Sequence, residues 1–356
     1  MNLIVDQALV ADLNAGSKAR ADATEIARSI GFSSVSLKNN YRSDPVSMGL
    51  DLLSVDHQLH SMVKRLGFGD FVVIQFPFRG HNVPMLMRMC DGVRKRGAKS
   101  IAFVHDLTSI IANRGNVPNE AADRFRCDYV SLGYFDAVIV HNGRMAAYLV
   151  EAGISESKIV VLDMFDYLLD EHQTLNREYL SDTVSFAGNL DKKRTGFIYE
   201  LGGSSDLSGA SLELFGANYS GAESETDCVR YKGVCSPEEL PNKLTGAYGL
   251  IWSGPSTRSC EWPEGGYLLF NNPHKLSLYY ASNMVPIVWS QSAVAEFVKR
   301  TSSGIVLNSL SEIGHVIQNL DDADFQAFKH NAEVVGEKVR TGFYLKRALS
   351  RAMEIA

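Results

Sequence analysis

The chain has 356 residues, 45% of them hydrophobic, which is enough apolar material for two medium-sized cores. Its 41 acidic residues outnumber 35 basic ones for a formal charge of −6, which argues against nucleic acid as a partner. The cysteines Cys90, Cys127, Cys228, Cys235 and Cys260 are scattered without a C-x-x-C, excluding a disulfide frame or zinc knuckle as the organising feature.

From the N-terminus, "NLIV" (2–5) reads as a first strand and "ARADATEIARSIGF" (19–32) as a helix ending at Gly31. Buried-strand runs follow at 70–77 ("DFVVIQFP"), 99–106 ("KSIAFVHD"), 136–142 ("DAVIVHN") and 158–163 ("KIVVLD"). Amphipathic stretches such as "VPMLMRMCDGVRKRG" and "NGRMAAYLVEAG" separate them. The segment 166–182 breaks this rhythm and reads as a linker. Strand runs resume at 183–189, 211–216, 229–234, 248–254 and 285–290, with helices between them, and the last 36 residues are mostly helical. Alternation of this kind predicts parallel sheets covered by helices on both faces. Two doubly wound, Rossmann-like α/β domains are therefore expected, facing a cleft in which a ligand binds beyond the strand ends. The N-terminus carries no basic leader, and no run approaches the roughly 20 apolar residues that a membrane span requires. A soluble, cytoplasmic protein is expected.

No P-loop, G-x-G-x-x-G, G-x-S-x-G or H-E-x-x-H occurs. The one D-x-D, Asp322–Ala323–Asp324, lies in a polar helical tail and reads as a solvated face. What stands out is the residue types that follow the strands. Gly188 and Asn189 precede Lys192, Lys193 and Arg194, a glycine turn with cations at a helix start, which suits an anion as well as it suits plain solvation. Phe215–Gly216 and Gly233–Val234 end two further strands with exposed backbone. Asn271, Asn272, Pro273, His274 and Lys275 open a helix, with Asn272 as the expected N-cap and Pro273 in the first turn. In the first half, Gly16, Lys18 and Arg20 follow strand one, Arg79 follows another, and Arg114 lies beyond "VHD". His105 and Asp106 end a strand and could serve as a general base and its partner, or could tie that strand end to its loop.

Taken in order, "FVHD", "FDYL", "SFAGNL", "LFGANY", "YKGV", "GLIWSG", "YLLFNNPHKLSLY", "VPIVW" and "VRTGFY" resemble the bacterial galactofuranosyltransferases of O-antigen and capsule synthesis. More distantly, the blocks resemble the glucosyltransferase that extends sugars on streptococcal serine-rich-repeat glycoproteins. The resemblance spans nearly the whole chain. It implies a GT-B glycosyltransferase fold, an acceptor-side domain over 1–168 and a UDP-sugar-binding domain over 169–340, with a terminal helix near 341–356 packing back on the first. It implies a hexosyltransferase that needs no metal or cofactor, moving a sugar from a UDP-sugar to a glycan acceptor, lipid-linked or free. Galactofuranose is the first expectation and glucose the second. A UDP-sugar epimerase-like enzyme and a non-catalytic UDP-sugar-binding subunit are the alternatives.

Carried over by motif, the donor would meet Gly16, Asn189, Lys193, Arg194, Phe215, Gly216, Gly233, Val234, Asn271, Asn272, His274 and Lys275. His105 and Asp106 match the catalytic block, with Glu261 and Glu264 the next carboxylates. Lys18, Arg79 and Arg114 are expected on the acceptor side. Cys235 departs from the family pattern, which has Ser or Phe there. A peripheral contact with the inner face of the membrane and a homo-oligomer are compatible with this reading.

Overall fold

A computed structural model describes residues 1–7, 15–38, 45–117, 128–169, 179–202, 206–221 and 228–356. Asn14 of the first glycine loop, Cys127 and the linker residues 170–178 lie outside the described residues. The chain divides into two compact units, one of Met1–Asp12, Ala19–Leu162 and Tyr344–Ala356, the other of Leu13–Lys18 and Asp163–Phe343. The boundary at Leu162/Asp163 falls a few residues before the position expected for it.

The first unit holds six parallel strands: β1 (Leu3–Gln7), β2 (Ser33–Leu37), β3 (Phe71–Phe76), β4 (Lys99–Val104), β5 (Ala137–Val140) and β6 (Ile159–Val161), in the order β2-β1-β3-β4-β5-β6. Val72, Val73, Ile74, Ile101, Ala102, Phe103, Val138 and Ile139 are buried without alternation, as expected of strands covered on both faces. β2 was not expected, because Ser33, Ser34 and Ser36 are exposed on this edge strand and leave no apolar run to read. The helix Val83–Lys95 shows how the covering layer is specified. Asn82 caps it by accepting from Met85 N at 3.0 Å, and Met85, Leu86, Met89, Cys90 and Val93 are buried at helical spacing. The terminal helix Phe343–Ile355 buries Tyr344, Leu345, Ala348, Leu349 and Ala352, and Arg347 donates to the Leu162 carbonyl at 3.0 Å.

The second unit holds β7 (Leu180–Ala187), β8 (Ser211–Phe215), β9 (Val229–Tyr231), β10 (Gly246–Ile251), β11 (Val285–Trp289) and β12 (Ile305–Leu307), all parallel, in the order β12-β11-β10-β7-β8-β9. The strand order reverses between β7 and β10, which marks the switch point where ligands of such sheets bind. β7 begins at Leu180, so the end of the expected linker is strand.

Candidate functional site

The site is built around that reversal. Gly249 of β10 has no side chain, and a Cβ there would meet the Tyr279 ring at 2.2 Å. The ring therefore lies directly on the sheet. Its hydroxyl accepts from Ala187 N at 3.0 Å and donates to Leu250 O at 3.3 Å, joining β7 and β10. Tyr279 belongs to the helix His274–Ala281, so this contact fixes where that helix begins. At its start Lys275 Nζ lies 4.1 Å from the centre of the Phe186 ring and would be 3.4 Å from a Cβ at Gly188.

The ends of β7, β8 and β9 are tied together by backbone. Gly188 N donates to Phe215 O at 2.9 Å and Gly216 N to Gly233 O at 2.9 Å. At φ +144°, Gly216 passes so close to Gly188 that an added Cβ would stand 1.7 Å from the Gly188 oxygen. Only glycine fits there.

The result is a pocket of about 330 Å³, lined among others by Tyr167, Gly188, Asn189, Phe215, Gly216 and Lys275. Its polar equipment is small. The Asn189 Oδ1 accepts from Asp191 N and Asn218 Nδ2, both at 3.0 Å, which leaves Nδ2 as the donor of that side chain. Burial brings the Lys275 ammonium down from 10.5 to about 8, opposed weakly by the nearby Cys260 thiol. It stays mainly cationic at neutral pH, and no carboxylate pairs with it among the described residues. Burial likewise pushes His274 down to about 3, helped by the charge of Lys18, so this imidazole is neutral. The ring stacks on Tyr167 at 5.1 Å, and its Nε2 is buried without a hydrogen-bond partner. A desolvated cation with no carboxylate partner among the described residues, in a pocket that Asn189 also lines, is an arrangement for an anion, in a low-dielectric setting where the charge acts strongly.

Of the residues expected at the donor, Asn189, Phe215, Gly216, Val234, His274 and Lys275 line this pocket, while Gly233 supports it through Gly216. Lys193 and Arg194 lie exposed on the four-residue helix Lys192–Thr195 and do not line it. Asn272 is not the N-cap, which is Pro273. The Asn272 side chain is buried and donates to Asp163 O at 2.9 Å. Neither Asn271 nor Asn272 reaches the pocket; the Asn271 Oδ1 is buried with no partner. Gly16 is exposed in the first turn of the helix Ala15–Ser29 and is not part of the lining. Lys18, expected on the acceptor side, instead donates to Leu168 O at 2.8 Å and lies 4.8 Å from the centre of the Tyr167 ring. Tyr167, Asn218, Pro237 and Leu240 were missed as lining residues. Tyr167 lay in the "FDYL" block but was hidden by reading that segment as linker.

In the first unit, His105 is half-buried at the end of β4. Its Nε2 donates to Gln75 Oε1 at 2.8 Å, and its ring stands edge-on to Phe103. Asp106 is exposed next to it. The segment that follows is held by buried Asp128, whose Oδ2 accepts from Thr108 Oγ1 and Ser109 N, both at 2.8 Å. Arg79 is exposed with its backbone bonded to Gln7, and exposed Arg114 has a left-handed backbone at φ +50°. Among the described residues no cluster of His, Cys, Asp or Glu is placed to hold a metal. Among the described residues no helix is long and apolar enough to cross a membrane.

Two family models match the chain, the N-terminal domain of the glucosyltransferase 3-like proteins over residues 3–164 and their C-terminal domain over 184–352. The beta-1,6-galactofuranosyltransferase WbbI of Escherichia coli (strain K12) is 28% identical over 352 residues, covering 96% of this chain and 95% of that protein. Glucosyltransferase 3 of Streptococcus gordonii is 26% identical over 341 residues, covering 94% and 93%. Among solved structures, the catalytic domain of starch synthase IV from Arabidopsis thaliana, bound to ADP and acarbose, superposes with a TM-score of 0.60. It covers 99% of both chains at 9% identity, a likeness of fold alone.

Proposed function

The chain belongs to the glucosyltransferase 3-like family, a glycosyltransferase built on the GT-B fold, and from that premise we propose that it transfers a hexose from a UDP-sugar to a glycan acceptor of bacterial surface polysaccharide. Galactofuranose is the sugar favoured, in line with the likeness to WbbI. The observation that carries the reading is Lys275: an unpaired ammonium, desolvated by Phe186 and the glycine turn at Gly188, at the mouth of the strand ends. Departure of UDP leaves negative charge on its diphosphate, and a fixed cation in a dry setting stabilises that charge as it grows. The Asn189 amide adds a donor on the same side. Phe215, Gly216 and Val234 supply the flat, apolar wall and open backbone that a uracil ring requires. In this reading no metal takes part, and His105 or Asp106 receives the proton of the acceptor hydroxyl.

A glucosyl donor is the second reading, favoured by the likeness to Glucosyltransferase 3. A panel of UDP-sugars, scored by UDP release with and without a synthetic glycan acceptor, separates the two. Turnover of UDP-galactofuranose above the other donors is the expected result. No acceptor-dependent release from any UDP-sugar, with UDP still bound, would leave the protein a binding subunit.

A further inference from the structure

Phe68 is 93% exposed, the most exposed large hydrophobic side chain among the described residues. A ring left in water is ordinary on a flexible tail, but this one is held in place. Gly69 N donates to Gly97 O at 2.9 Å, and Gly67 N donates to Asp70 Oδ2 at 2.8 Å, pinning the turn on both sides of it. The ring lies along the next turn so closely that a Cβ at Gly97 would come within 2.7 Å of its Cδ2.

Four exposed cations flank it: Lys64 and Arg65 on its own segment, Lys95 and Arg96 on the neighbouring one. None of their side chains makes an ion pair or hydrogen bond among the described residues. Of the three nearby acids, Asp70, Asp91 and Asp136, two are balanced by cations. Asp70 holds the terminal ammonium of Met1, and Arg94 holds Asp91 at 2.7 Å and Asp136 at 3.6 Å. The patch is thus strongly positive on a chain whose formal charge is −6. Cations at the ends of the helices Pro45–Val63 and Val83–Lys95 complement the helix dipoles. The dipoles do not explain an aromatic ring held outward between those cations.

We propose that this patch docks the protein on an anionic lipid surface, with Phe68 entering the headgroup layer and the four cations meeting lipid phosphates. An aromatic at the interface and unpaired Lys and Arg around it are the two elements such a surface rewards. The location suits the role. Phe68 precedes β3 and Gly97 precedes β4, so the patch lies at the N-terminal edge of the first sheet. His105 and Asp106 leave the other end of β4, a six-residue strand away, or about 20 Å. A membrane could be engaged there without covering them. The inference stands on exposure and charge in the first unit and is independent of the donor reading.

The test is co-sedimentation of the full chain with vesicles of phosphatidylcholine alone and of equal parts phosphatidylcholine and phosphatidylglycerol. Binding to the anionic vesicles only, weakened by high salt, is expected. Each cation near such a surface is worth roughly fivefold in partition, so Lys95→Glu with Arg96→Glu should lower binding by at least 25-fold. Phe68→Ala should lower it roughly tenfold. Phe68→Trp should retain binding, with a blue shift of emission on the anionic vesicles that the wild type lacks. Melting temperature and UDP affinity should be unchanged in all three variants. Absence of binding to the anionic vesicles would overturn the proposal. So would unchanged binding by Phe68→Ala, or tighter binding to single-stranded nucleic acid than to the vesicles.

Discussion

Replacing Lys275 by Met keeps the length of the side chain and removes its charge, with opposite consequences for binding and stability. A lost charge-assisted contact to phosphate is worth about 1.5–3 kcal/mol, or roughly 10- to 150-fold in UDP affinity. Uridine, which has no phosphate, should bind nearly as before. Stability should move the other way. Burial takes the ammonium from 10.5 to about 8, a charging cost of about 3 kcal/mol at neutral pH. The contact with the Phe186 ring offsets about 0.5–2 kcal/mol of that. Lys275→Met should therefore stabilise the unliganded protein by about 1–3 kcal/mol, and melting should rise by a few degrees. The pH dependence has a definite sign. Below pH 8 the wild type carries the full penalty of a buried charge; as pH rises from about 8 toward 10.5 the folded protein loses its proton first and the penalty disappears. The gap in melting temperature between variant and wild type should close over that interval. UDP-sugar affinity of the wild type should weaken over the same interval as the ammonium is lost. Isothermal titration with UDP and uridine, and calorimetric melts at several pH values, measure all of this. A variant that melts lower and loses UDP and uridine equally would show that Lys275 holds the fold, and the donor reading would lose its main support.

Gly216→Ala should cost at least about 2 kcal/mol and weaken UDP by more than tenfold, because its Cβ would stand 1.7 Å from Gly188 O; denaturant melts and titration read both, and near-normal values would mean the turn relaxes freely. Asp106→Asn or His105→Ala should slow transfer roughly 100-fold, the order for a general base, with UDP affinity intact; normal transfer in both would turn attention to Glu261 and Glu264. EDTA should leave UDP binding and transfer unchanged, since the D-x-D carboxylates Asp322 and Asp324 are exposed in the first turn of the helix Asp322–Arg340 and do not line the pocket; rescue by Mn²⁺ after loss would refute the metal-free reading.

Most of the architecture was legible in the sequence because buried parallel strands need continuous apolar runs. "VVI", "IAF", "AVIV" and "VPIV" announce themselves whatever they pack against. The edge strands β2 and β12 were not read: Ser33, Ser34 and Ser36 bury too little in the first, while the second is no shorter than β6 and β9, which were read. The glycine ends of β7 and β8 were also readable, since a backbone turn at +144° and a backbone-to-backbone contact both leave glycine as the only choice. What the sequence could not decide is which cations belong to the site. Lys193, Arg194 and Lys275 all sit near helix starts and look alike in one dimension. Only the packed structure separates them, because desolvation is a property of neighbours distant in the chain. Gly249 admits the Tyr279 ring, that ring sets the position of its helix, and the helix delivers Lys275 to Phe186 and Gly188, while Lys193 and Arg194 stay in water. The same holds for Tyr167, which walls the pocket beside His274, and Lys18, whose ammonium lies 4.8 Å from the Tyr167 ring centre although the two are far apart in the chain. Residue type and spacing determined that a charge would follow these strands; three-dimensional burial decided which charge is strong enough to matter.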